Sequence, residues 1–207
     1  MITDRLANPE LAEFEVGGVT RASFILRGAL AAGAVYGTAA VAPFVSSALG
    51  ATTDIDILNF ALTLEYLETD FYQVKGKTVG LTGLAKHDVT NFGAEEAAHV
   101  AALTSAIKAG GGTPVAKPTF SFPVSTASQF LDLAYVVENL GVSAYNGAGP
   151  SLKSKALLTA AGSIVQIEAR HAAAIGLLIG KSPIPSGAFD QAKTKAEVLK
   201  VAGPLIK

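Results

Sequence analysis

Glu-x-x-His occurs twice in this chain, as Glu96-Ala97-Ala98-His99 and Glu168-Ala169-Arg170-His171, each time where a helical stripe calls for core residues. Positions three and four apart share one face of an α-helix. The first copy lies on the stripe Val89, Phe92, Glu96, His99, Leu103 and Ile107, and the second on Leu157, Ala161, Ile164, Glu168, His171 and Ile175. Each copy is preceded by another apolar stripe broken by carboxylate. Leu58, Ala61, Leu62, Glu65, Glu68 and Tyr72 form one, and Leu131, Ala134, Tyr135, Glu138, Val142 and Tyr145 the other. The halves match in spacing. Glu65 precedes Glu96 by 31 residues and Glu138 precedes Glu168 by 30, and in each half a tyrosine follows the leading glutamate by seven. Two helical hairpins related by an approximate two-fold axis account for this, so the expected fold is an all-α four-helix bundle with Glu65, Glu96, His99, Glu138, Glu168 and His171 facing its centre.

Four carboxylates and two imidazoles are costly to bury, because each ionised carboxylate loses its hydration. Two divalent cations supply the missing charge: the carboxylates bridge or cap them, and each histidine completes one coordination sphere. Oxygen and nitrogen donors without sulfur favour iron or manganese, and zinc can occupy such a site in a purified form. Cysteine is absent, which excludes thiolate nucleophiles, Cys-ligated zinc, iron–sulfur clusters and disulfides. The competing reading is a metal-free network of buried hydrogen bonds and ion pairs, with Arg170 as a candidate neutralising charge. Glu68, Tyr72 and Tyr145 are expected around the ligands, the phenols orienting carboxylates or serving as core tyrosines. Glu95 and Asp132 read as solvated helix-face residues, and His87 as a surface or helix-start residue.

The helices are expected over Asp54 to about Val74, about Lys86 to Ala109, Ser125 or Thr126 to Tyr145 or Asn146, and from Ser151 or Ser154 to Gly180. Gly110-Gly111-Gly112 stops the second helix. Residues 111–124, with Pro114, Pro118 and Pro123, form a connection long enough to cross the bundle from end to end. The expected organisation is therefore an N-terminal segment 1–53, a bundle 54–180 and a tail 181–207 packing on it, with a short helix within 191–201.

The N-terminal segment is a separate problem. Arg21 and Arg27 precede a stretch without charge from Gly28 to Thr53, and Gly28 to Leu49 as a helix would span roughly 33 Å, enough to cross a bilayer. It reads as an export signal, a membrane anchor or a hydrophobic packing helix. The first two lead to an expectation of a secreted, extracytoplasmic or membrane-associated protein, with the cytoplasm as the alternative. Through residues 21–50 it would meet a membrane or a larger assembly, and an oligomer is expected. With 16 basic and 17 acidic residues the chain has no basic field for a phosphate backbone, so nucleic acid is not an expected partner.

The sequence resembles the ferritin-like superfamily, and more narrowly the bacterial ferritin-like domain proteins of the desiccation-related type. The likeness is carried by Ile57-Leu58-Asn59-Phe60-Ala61-Leu62-Thr63-Leu64-Glu65-Tyr66-Leu67-Glu68 with Phe71-Tyr72, by Glu95-Glu96-Ala97-Ala98-His99 and Glu168-Ala169-Arg170-His171, and by the tail residues Gly187-Ala188-Phe189-Asp190 and Ala196-Glu197-Val198-Leu199. The resemblance implies a ferritin-like bundle with a long crossover between helices two and three, and a di-iron or di-manganese carboxylate site. Glu65 and Glu138 would be terminal carboxylates, Glu96 and Glu168 bridges, and His99 and His171 nitrogen ligands. It implies an oxidase or peroxidase acting on O2 or peroxide. The alternative is a structural or interaction subunit that uses the bundle as scaffold, membrane-associated and without turnover.

Overall fold

Hydroxyl side chains set most of the helix starts in the computed structural model, which describes residues 53–207. Thr53 caps α1 (Asp54–Asp70) in a reciprocal box with Asp56. Thr126 caps α3 (Ala127–Ala148) and Ser154 caps α4 (Lys155–Leu178). Thr194 with Glu197 repeats the box at α5 (Lys195–Ala202). Each cap satisfies amide donors that the first turn leaves open and is worth about 1 kcal/mol. The remaining helix, α2 (Gly83–Ala109), starts without a side-chain cap and ends at a glycine turn where Gly111 has φ +76°, a conformation that excludes most side chains.

The helices match the expected set to within a few residues, α2 starting three residues earlier than expected. The end of α1 differs more: after Asp70 the chain widens into one π-helical turn, Phe71–Lys75. That turn packs against α2. The Gln73 side-chain amide donates to the Gly93 carbonyl, and a Cβ on Gly93 would meet Tyr72 Cβ at 3.1 Å.

α1 packs chiefly on α2 and α3 chiefly on α4, so the bundle consists of two hairpins. Asp54 joins them at one end by accepting hydrogen bonds from the Lys153 and Ser154 amides. The long connection between α2 and α3 is pinned by Asn59, whose side chain donates to the Thr113 carbonyl and accepts from the Val115 amide. Its later part pairs with the C-terminus, where Phe120 bridges Ile206 and the Ser121 amide donates to the Leu205 carbonyl. α5 and the turn after it cover the α1–α3 face: Val198, Ala202 and Leu205 pack against Leu64, Leu67, Val137, Leu140 and Ala144.

One expectation is corrected. Among the described residues no helix is long and apolar enough to cross a membrane, because the inner faces of the bundle helices carry glutamates and their outer faces charged residues. The transmembrane or secreted character, the membrane partner and the extracytoplasmic or membrane-associated placement therefore have no helix among the described residues to carry them. Residues 21–50, on which those expectations rested, and the expected N-terminal hydrophobic helix lie outside the described residues.

Candidate metal centre

Glu65 from α1, Glu96 and His99 from α2, Glu138 from α3, and Glu168 and His171 from α4 meet in the middle of the bundle. The four glutamates are fully buried and His171 is 2% exposed. They form two overlapping groups, Glu65, Glu96, His99 and Glu168, and Glu96, Glu138, Glu168 and His171, each offering ligand atoms that lie within 4.8 Å of one another. Glu96 and Glu168 belong to both groups.

The hydrogen-bonding inventory of this cluster does not close. His99 Nδ1 stands 3.1 Å from Glu65, 3.0 Å from Glu96 and 3.2 Å from Glu168, three acceptors around a nitrogen that carries one proton at most. His171 Nδ1 is 2.9 Å from Glu96 Oε1, close enough for an ion pair but out of line for a hydrogen bond, so both atoms remain unpartnered. Glu138 Oε2 and both oxygens of Glu168 are likewise buried without a hydrogen bond. Native structures pair most buried polar atoms. Among the described residues all the unpaired buried side-chain atoms but Thr69 Oγ1 gather at this one place; they are metal-ligand atom types, and they fit a pair of divalent ions.

Charge points the same way. The ion pairs of these four glutamates are all with His99 and His171, and Arg170 is exposed, so it does not neutralise the cluster. Burial, opposed by His99, holds the Glu65 carboxyl up to about 8, and burial with repulsion from neighbouring carboxylates holds Glu68 and Glu168 well above the usual range. Glu138 is also raised by burial. In Glu96 burial is outweighed by the imidazoles of His171 and His99 close beside it, which bring it down to about 2. Carboxylates overcome the effect of burial on the imidazoles, raising His99 to about 12 and His171 to about 11. Protons on these histidines stand where cations would otherwise compensate the glutamates.

The tyrosines cross between hairpins. Tyr72, in the π-helical turn that continues α1, donates to Glu138 on α3, and Tyr145 on α3 donates to Glu65 on α1 at 2.5 Å. Glu68 is buried but belongs to neither group. Sequence reasoning missed Glu95. Its side chain is 52% exposed, as a helix-face residue should be, yet its Oε2 lies 2.6 Å from His171 Nε2 and fixes that ring from outside. Only the packing of α2 against α4 brings them together. Asp132 and His87 stand outside the centre, Asp132 paired with Lys181 and His87 beside Asp88.

A search among curated proteins finds no match to this chain. The model of the ferritin-like domain, however, matches residues 53–181. That range starts at the cap of α1, ends just past α4 and contains all six centre residues, and it covers more than half of the 207 residues. The chain belongs to the ferritin-like domain family.

Proposed function

We propose that this protein holds two divalent ions, iron or manganese, between its two hairpins, and that fastening those hairpins together is the first service of the ions. The observation that carries this reading is the convergence of carboxylate oxygens and imidazole nitrogens from α1, α2, α3 and α4 on one buried place, where oxygens of Glu96, Glu138 and Glu168 and the Nδ1 of His171 lack hydrogen-bond partners. Glu65 with His99 would hold one ion and Glu138 with His171 the other, while Glu96 and Glu168 serve both. Tyr72 and Tyr145 would orient the carboxylates of the opposite hairpin, fixing which lone pairs face inward. In this scaffold reading the ions stabilise the native state by linkage, about 2.7 kcal/mol per site at a hundredfold excess over Kd.

A second reading uses the same residues for oxidation of a reductant by O2 or peroxide. When bound, two iron or manganese ions supply two one-electron changes, which matches the two-electron reduction of peroxide. The chain's part would be to keep the carboxylates aligned and water scarce, for which the burial of all four glutamates is suited. Full burial also favours the scaffold reading, since turnover needs a coordination position that a small molecule can reach.

Anaerobic reconstitution with Fe(II) or Mn(II), metal counting and thermal unfolding test the proposal. The native chain should bind two equivalents and gain several degrees in Tm, and Glu96→Ala should bind markedly fewer. No binding by either protein would refute the site. Exposure of the loaded protein to O2 and to peroxide then separates the readings: repeated consumption supports an enzyme, and stable ions without consumption support the scaffold.

A further inference from the structure

Glu68 is the buried carboxylate outside both four-residue groups. It lies one turn beyond Glu65 on α1 and is 2% exposed. On its outer side is a small apolar cavity of about 10 Å³ roofed by Val201, Ala202 and Leu205. Gly141, in the middle of α3, lines the same cavity and stands beside Glu68. A Cβ at residue 141 would come within 3.1 Å of Glu68 Oε1 and 3.2 Å of Glu168 Oε2, so any side chain here would crowd both carboxylates. Both oxygens of Glu168 lack hydrogen-bond partners.

Core packing asks for neither residue. Glycine inside a helix costs about 1 kcal/mol against alanine, and a carboxylate buried beside four others costs more than a leucine or glutamine of similar volume. The ion pairs among the described residues include none to Glu68. Both costs are explained together if Glu68 serves the centre from the α1–α3 side, where neither histidine stands.

We propose that Glu68 is a fifth carboxylate of the di-metal centre, acting beside Glu168 on one of its two ions, and that Gly141 is the residue that admits it. This rests on the di-metal reading above. A further anionic oxygen donor would favour hard cations and leave less room for an exogenous ligand.

Cobalt(II) titration of the full chain under anaerobic conditions, read through the visible d–d absorption and by metal counting, tests the proposal with Glu68→Gln and Gly141→Ala. Glu68→Gln should still bind two equivalents, but one of them about tenfold or more weaker, with an altered d–d intensity. Gly141→Ala should reproduce that loss with Glu68 intact, because the added methyl would press on both carboxylates. Native affinity and spectrum in Glu68→Gln would overturn the proposal. So would a metal-free Tm of Glu68→Gln well below native with unchanged cobalt binding, which would make Glu68 a packing residue. Failure of the native chain to bind cobalt at all would instead overturn the di-metal reading, and this inference with it.

Discussion

The two halves of the centre are nearly interchangeable in sequence, yet their histidines are held in different ways. His171 is 2% exposed, lies against the Phe92 ring at 4.1 Å and has its outer nitrogen on Glu95. His99 has a side chain 12% exposed, and among the described residues its outer nitrogen makes no hydrogen bond. Its inner nitrogen instead meets three carboxylates, where that of His171 meets two. An outer acceptor on an imidazole fixes the ring and its tautomer and raises its basicity as a ligand. The hairpin repeat therefore yields one rigid and one looser half-site, and the ion beside His171 is expected to be the tighter of the two.

Removing a shared carboxylate should have the largest effect on that comparison. Glu168→Ala takes a ligand from both groups and is expected to weaken both ions by more than about 100-fold, whereas Glu65→Ala should weaken only the His99 ion and leave the other near native. Competition titrations with a chelator of known affinity resolve the two. Equal losses at both ions in Glu65→Ala would mean that the halves are not separable.

A smaller effect is expected from Glu95→Gln, which keeps the shape of the outer contact to His171 and removes its charge. The tighter ion should weaken about tenfold and the His99 ion should not change, so that the two affinities converge. Unequal affinities that survive the substitution would assign the asymmetry to burial and the Phe92 contact.

The smallest expected effect is on the pH dependence of the chelated, metal-free protein. Glu65 is held up to about 8 from 4.5, and His99 and His171 to about 12 and 11 from 6.5. All three folded values are raised, so their contributions to stability are present at low pH and are lost as pH rises through the folded values. Glu96, lowered to about 2 from 4.5, acts oppositely, and its contribution is lost only as pH falls below about 4.5. Metal-free Tm is thus expected to fall between about pH 5 and about pH 9. The loaded protein should resist this fall, since ligands shed protons to bind metal. A metal-free Tm that rises over that range would contradict the charge arrangement described for the centre.

Much of this was legible in the chain because helical periodicity is local. A stripe of apolar residues three and four apart dictates which face is buried, and Glu65, Glu96, His99, Glu138, Glu168 and His171 stand on such stripes. The long connection between α2 and α3 was legible from its prolines and length. Three features depended on contacts between distant segments. Glu95 looks solvated on its own helix, and only α4 supplies its partner. Tyr72 and Tyr145 share faces with Glu65 and Glu138 on their own helices, but each phenol bonds to the glutamate of the other hairpin. The pairing of the long connection with the C-terminus follows no periodicity, as it joins residues about eighty-six positions apart, Phe120 and Ile206.

The sequence by itself determined that four helices form, where they are capped, and that six ligand-type side chains occupy their inner faces, because propensity, capping and periodicity act within a few residues of chain. The tertiary structure decided how those faces were shared. It made Glu96 and Glu168 common to both groups, crossed the tyrosines between hairpins, set Glu68 against Gly141, and gave His171 an outer carboxylate that His99 lacks. These depend on distances between helices, which packing sets and which a nearly exact repeat in sequence leaves free to differ.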